Sequence, residues 1–188
     1  MIVCDSLRFV MVLPPKTGST SMRRFLVDRL DVLEIGNPAE YVVDQAPQDY
    51  THVLTVRNPF PRAVSHWWAI KTIPPKPDAG SLRHEMYAAA KSMTFAQFCR
   101  HAYRKPLLQP CRTQAGQMPR VDCVLQFESF CHIPGFPAEN RAGSGGYGQW
   151  HDHYDQGGYR EICARYRDDF LRYGYSRAAF RDDLESIE

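Results

Sequence analysis

A chain of 188 residues, 44% of them hydrophobic, is the size and composition of one globular domain, and a single domain over residues 1–188 is expected. The formal charge of +2, with 23% charged residues, excludes the acidic or basic excess of a disordered chain. It gives no reason to expect nucleic acid or an anionic membrane as partner. The six cysteines lack the close spacing of a zinc knuckle or a redox pair, so reduced thiols are expected rather than disulfides.

The amino-terminal run MIVCDSLRFVMVLPP is interrupted by Asp5 and Arg8 and is too short for a secretory leader or a membrane span. No later run is long enough either, which predicts a soluble, cytoplasmic protein with no membrane segment. Residues 8–13, RFVMVL, read as a buried strand that stops at Pro14 and Pro15. After a run of small polar residues, Met22, Phe25, Leu26, Leu30 and Leu33 recur at helical spacing, with Ser19, Thr20 or Ser21 as cap.

A second strand-to-helix unit covers residues 52–70: HVLTV as strand, RNPFP as turn, then a helix with Pro61 near its start. Residues 71–82 are a proline-rich loop. Residues 83–104 read as helical, and 121–127, VDCVLQF, as a third strand. Residues 134–150 are a loop rich in glycine and proline. A last helix carries Ile162, Tyr166, Phe170 and Leu171 on one face and stops at Gly174. Strands alternating with helices predict an α/β fold with a central parallel sheet flanked by helices, and ligands at the carboxyl ends of its strands.

Two turns carry chemistry. PKTGSTS, residues 15–21, offers backbone N–H groups at a helix start, a glycine for close approach, four hydroxyls and the charge of Lys16, a combination suited to an anion. Its lysine precedes the glycine, whereas the common triphosphate loop puts the lysine after it. The second turn, TVRNPFPRAVSHW, sets Arg57 at a strand end and Ser65 eight residues later, a pair able to hold another phosphate. The strand HVLTV ends without the acidic residue that helps hold magnesium in triphosphate hydrolases. Two separated phosphates gripped without a metal fit this pattern better than a magnesium triphosphate.

Residues 15–21 resemble the 5′-phosphosulfate loop of sulfotransferases that use 3′-phosphoadenosine 5′-phosphosulfate (PAPS), and VRNP with Arg62 and Ser65 resembles their 3′-phosphate motif. The closest likeness is to the carbohydrate branch, which includes Golgi enzymes and small microbial or viral relatives. LQFESF, residues 125–130, resembles a further strand and turn of that branch. Tyr166, Asp168, Asp169 and Phe170, with YGY at 173–175, resemble its closing helix.

The resemblance implies a P-loop-like sulfotransferase fold and a hydroxyl-bearing acceptor, a saccharide, with 3′-phosphoadenosine 5′-phosphate (PAP) as product and no metal. It gives Lys16 the bridging oxygen of the phosphosulfate, and Thr17, Gly18, Ser19, Thr20 and Ser21 the 5′-phosphate. Arg57 and Ser65 take the 3′-phosphate, and Arg141 is a further phosphate or adenine contact. A general base is also required. Glu34, Glu40, His52 and His66 are the candidates, with Glu40 favoured as catalytic. His151 and His153 in WHDHYD raise a metal site as a minor alternative. The rival functions are a nucleotide kinase or hydrolase with a rearranged loop, and a relative that binds nucleotide or glycan without turnover.

Overall fold

The computed structural model describes residues 1–37, 39–74, 77, 81–102, 112–137 and 149–177. Arg141 lies outside them. The chain divides into two compact units, one of residues 1–58 and 112–141, the other of residues 59–111 and 142–188.

The first unit holds all five strands: β1 (Ile2–Cys4), β2 (Phe9–Val12), β3 (Leu33–Glu34), β4 (Thr51–Val56) and β5 (Cys123–Gln126), in the order β3-β1-β2-β4-β5. The expected parallel sheet is present only in part. β2, β4 and β5 run parallel, whereas β1 pairs antiparallel with both β2 and β3. The fold is therefore mixed α/β with a mixed sheet. The correction has a local cause: residues 5–8 close a tight turn, with Arg8 N–H on Asp5 O at 3.3 Å and Arg8 at φ 50°. That turn folds the amino-terminal apolar run back on itself as a hairpin.

α1 (Ser19–Val27) lays Met22 and Leu26 against Ile2, Met11, Leu13, Val53 and Phe130 to make this unit's core. It is shorter than the periodicity predicts. Leu33 belongs to β3 and is 60% exposed, because Val3 and Ile2 claim residues 33 and 34 as ladder partners. A single turn, α5 (Phe127–Phe130), follows β5 directly.

The second unit is helical in its described residues: α2 (Pro59–Thr72), α3 (Ser81–Ser92), α4 (Phe95–Ala102), α6 (Gln156–Arg165) and α7 (Arg167–Tyr173). Its core gathers Phe60, Val64 and Trp67 of α2 with Met86, Phe95, Phe98, Ile162, Tyr166 and Phe170. The segment read as one helix over 83–104 is two, split at Thr94. Gln97 N–H binds Thr94 Oγ1 and Thr94 N–H binds Gln97 Oε1, a reciprocal cap that starts α4. The last helix is broken at Tyr166 as well, which leaves Leu171 61% exposed instead of on the buried face. Gly174 ends α7 in the left-handed conformation, as expected.

Candidate anion-binding site

β2 and β4 are parallel neighbours, with Val12 opposite Leu54, so their carboxyl ends open on the same edge of the sheet. Beyond β2 the chain turns through residues 13–18 into α1. Two left-handed residues make that turn, Lys16 at φ 71° and Gly18 at φ 76°. Gly18 suits the conformation; Lys16 adopts it at a cost of about 1 kcal/mol. Gly18 itself is the N-cap, and no side chain caps α1, which corrects the expectation of a Ser19, Thr20 or Ser21 cap. The first intrahelical bond is Met22 N–H on Gly18 O at 2.9 Å. The N–H groups of a helix's first turn have no partner within the helix itself.

Thr17 is the rivet beneath this loop. It is fully buried, and its hydroxyl donates to Pro14 O at 2.7 Å. The Thr55 hydroxyl, 2.9 Å away on β4, therefore donates to Thr17 Oγ1, since Thr17 has only one proton to give. Thr17 N–H also points to Pro14 O, at 3.4 Å. Thr17 shapes the loop from below, and Ser19 and Thr20 are the hydroxyls with access to water.

Past β4, Arg57 is fixed at several points. Its Nη1 donates to Lys16 O at 3.2 Å, and its guanidinium lies over the Phe127 ring, 4.6 Å from the centroid. Its main chain is bound by Gln114, and the next N–H, of Asn58, by Glu128 Oε1 at 2.9 Å. The same Phe127 ring backs Gly18: a Cβ on Gly18 would lie 2.7 Å from Phe127 Cδ2. Gly18→Ala should cost about 2–4 kcal/mol by overlap and left-handed strain together. Urea denaturation would read this loss, and a cost under 1 kcal/mol would mean that the loop and ring are not packed as described.

Burial, and then the neighbouring Arg57, push the Lys16 ammonium down to a pKa of about 8. Neither Lys16 nor Arg57 forms an ion pair with a carboxylate among the described residues. Two cations held together without a counter-charge repel one another, and an anion between them relieves that repulsion.

The other anticipated residues fall elsewhere. Ser65 is a buried residue of α2 in the second unit, as is Arg62, whose guanidinium faces the Tyr166 ring. The first unit thus supplies Lys16, Thr17, Gly18, Ser19, Thr20, Ser21 and Arg57 by itself. Glu40 sits exposed on a turn, where its carboxylate accepts from Asn37 Nδ2 at 3.5 Å. Glu34 pairs with Arg23 at 2.7 Å. His52 is fully buried near the start of β4, about 16 Å along the strand from Arg57. It bonds to Tyr50 O and lies 3.4 Å from Asp122, so it does not reach the loop. His66 is buried on α2 against Phe98. His151 stacks on Trp150, and His153 packs against Trp67 and Phe95.

Three contributors were not singled out for their roles in the sequence: Thr55, Gln114 and Phe127. Thr55 and Phe127 lie in strand-end runs where any small hydroxyl or aromatic reads as packing, and nothing near Gln114 forms a motif. Compared with known proteins, the chain matches no protein-family model, no curated protein and no solved structure. Fold and site define a class: a mixed α/β protein with two cationic turns at the carboxyl edge of a parallel strand pair.

Proposed function

We propose that the chain is a PAPS-dependent sulfotransferase of the P-loop-like type, acting on a hydroxyl of a carbohydrate. The observation that carries this reading is the convergence of Lys16 and Arg57, without a carboxylate partner among the described residues, at the ends of adjacent parallel strands. Supporting it is the order of the loop, lysine before glycine, together with the motif likeness of residues 15–21 and 56–65.

In this reading the N–H groups at the start of α1 and the hydroxyls of Ser19 and Thr20 hold the 5′-phosphate. Arg57 holds the 3′-phosphate. The acceptor oxygen attacks sulfur in line; an S–O bond to the acceptor forms as the bond to the bridging oxygen breaks. Lys16 neutralises the charge that grows on that oxygen, a stabilisation worth most in the transition state. A general base takes the acceptor's proton, for which Glu40 is the candidate the sequence offers, and PAP leaves.

Transfer of labelled sulfate from PAPS to a panel of saccharides tests the proposal. Labelled sulfate ester from at least one acceptor, in magnesium-free buffer, is the expected result. PAP binding without transfer to any acceptor would instead make the chain a nucleotide-binding relative without turnover.

A further inference from the structure

Gln114 belongs to a stretch with no recognisable motif, yet it is fully buried and both ends of its amide serve one residue. Its Oε1 accepts the Arg57 N–H at 2.8 Å, and its Nε2 donates to the Arg57 carbonyl at 2.9 Å. The ladder between β4 and β5 ends at the pair Val56 and Gln126, so Arg57 is the first residue beyond it. Gln114 gives Arg57 what a neighbouring strand would have given: a donor and an acceptor in register. Burying a primary amide is favourable only when its polar atoms are bonded, and here the bonding fixes the main chain at a strand end that carries a cation.

The direction of an arginine side chain is set first by its own backbone. With that backbone clamped, the guanidinium is steered between Lys16 O and the Phe127 face before any ligand arrives. Pre-orientation of this kind raises affinity by reducing what must be ordered on binding. We propose that Gln114 is a positioning residue, clamping Arg57 so that its guanidinium is aimed in advance at the second anionic group of the substrate. The identity of that group, a 3′-phosphate, rests on the sulfotransferase reading; the clamp itself does not.

The test uses the full-length ¹⁵N-labelled protein, with the Arg57 Nε–Hε resonance assigned by its loss in Arg57→Lys. In Gln114→Leu that resonance should move, and its exchange with solvent should quicken by about tenfold. The affinity for PAP should fall by at least tenfold while that for 5′-AMP, which lacks the second phosphate, stays within twofold. In an Arg57→Ala background, Gln114→Leu should cost no further PAP affinity. If Gln114→Leu does not fold, Gln114→Glu carries the test: it keeps the acceptor, loses the donor, and should change the same readouts in the same direction.

An unmoved Arg57 resonance would overturn the inference. So would equal weakening of PAP and 5′-AMP, or a loss that persists without Arg57, because each is what a merely structural residue gives. If the resonance moves but the wild-type protein binds neither PAP nor pyrophosphate, the clamp stands and the sulfotransferase reading falls.

Discussion

Lys16→Met is expected to raise the melting temperature of the ligand-free protein at pH 7 while abolishing sulfuryl transfer. The folded protein holds the Lys16 ammonium at a pKa of about 8, below the 10.5 of an ordinary lysine. The unfolded chain therefore binds that proton more tightly, and the ammonium destabilises the fold. The cost is fully present below pH 8 and is relieved as pH rises from about 8 to 10.5. Methionine matches the aliphatic stem and needs no charge, so the substitution should contribute roughly 1–2 kcal/mol, allowing for the partial contact of Lys16 with water. For a chain of this length that is about 3–6 °C by calorimetry.

Activity should move the opposite way, with kcat down by roughly 10³-fold or more, because in the proposed transfer the lost charge acts on the leaving oxygen. An anionic ligand favours the protonated lysine, so wild-type affinity for PAP should weaken as pH rises past 8. A variant that is destabilised and still active would contradict both halves of the argument.

Arg57→Ala is expected to erase the preference for a nucleotide with a second phosphate. A guanidinium with several N–H donors, set over an aromatic face and bonded to the Lys16 carbonyl, forms charge-assisted hydrogen bonds worth about 2–4 kcal/mol to a phosphate. Titration calorimetry should show PAP affinity reduced by roughly 30- to 1,000-fold, with 5′-AMP nearly unaffected. Arg57→Lys should recover little, since an ammonium cannot span the same geometry. Removing Arg57 also takes a like charge away from Lys16, whose pKa should rise. If PAP and 5′-AMP weaken together, Arg57 supports the loop in general and reads no second phosphate.

The parts of this fold legible in the sequence are those where an apolar run meets an abrupt turn. RFVMVL before Pro14 and HVLTV before Arg57 are such runs, and both are strands. β1 was hidden because the turn at residues 5–8 has no glycine, its left-handed residue being Arg8. β3 was hidden because Leu33 also fits a helical period, and only the ladder with β1 decides between the two. The mixed sheet follows from those two short strands. The Thr94–Gln97 cap was visible as a threonine followed three residues later by glutamine, yet the apolar spacing ran across it.

At the site, Lys16, Gly18 and Arg57 were legible because their chemistry is unusual at strand ends. Thr55 and Gln114 were not, since nothing in sequence relates residue 17 to residue 55 or residue 57 to residue 114. Only the parallel pairing of β2 with β4 and the return of the chain at 112–118 bring them together. In the described residues no helix is long and apolar enough to cross a membrane, and none of the five described cysteines forms a disulfide with another.

The central claim is that the edge of the sheet at Lys16 and Arg57 receives a nucleotide with two separated phosphates. Its most direct test is the thermal stability of the wild-type protein in magnesium-free buffer with PAP, set against the same protein with ATP and magnesium. At a hundred times its dissociation constant a ligand stabilises by about 2.7 kcal/mol, or roughly 5–10 °C here. A shift of that size with PAP and none with magnesium ATP is the predicted result; stabilisation by magnesium ATP with indifference to PAP would contradict it.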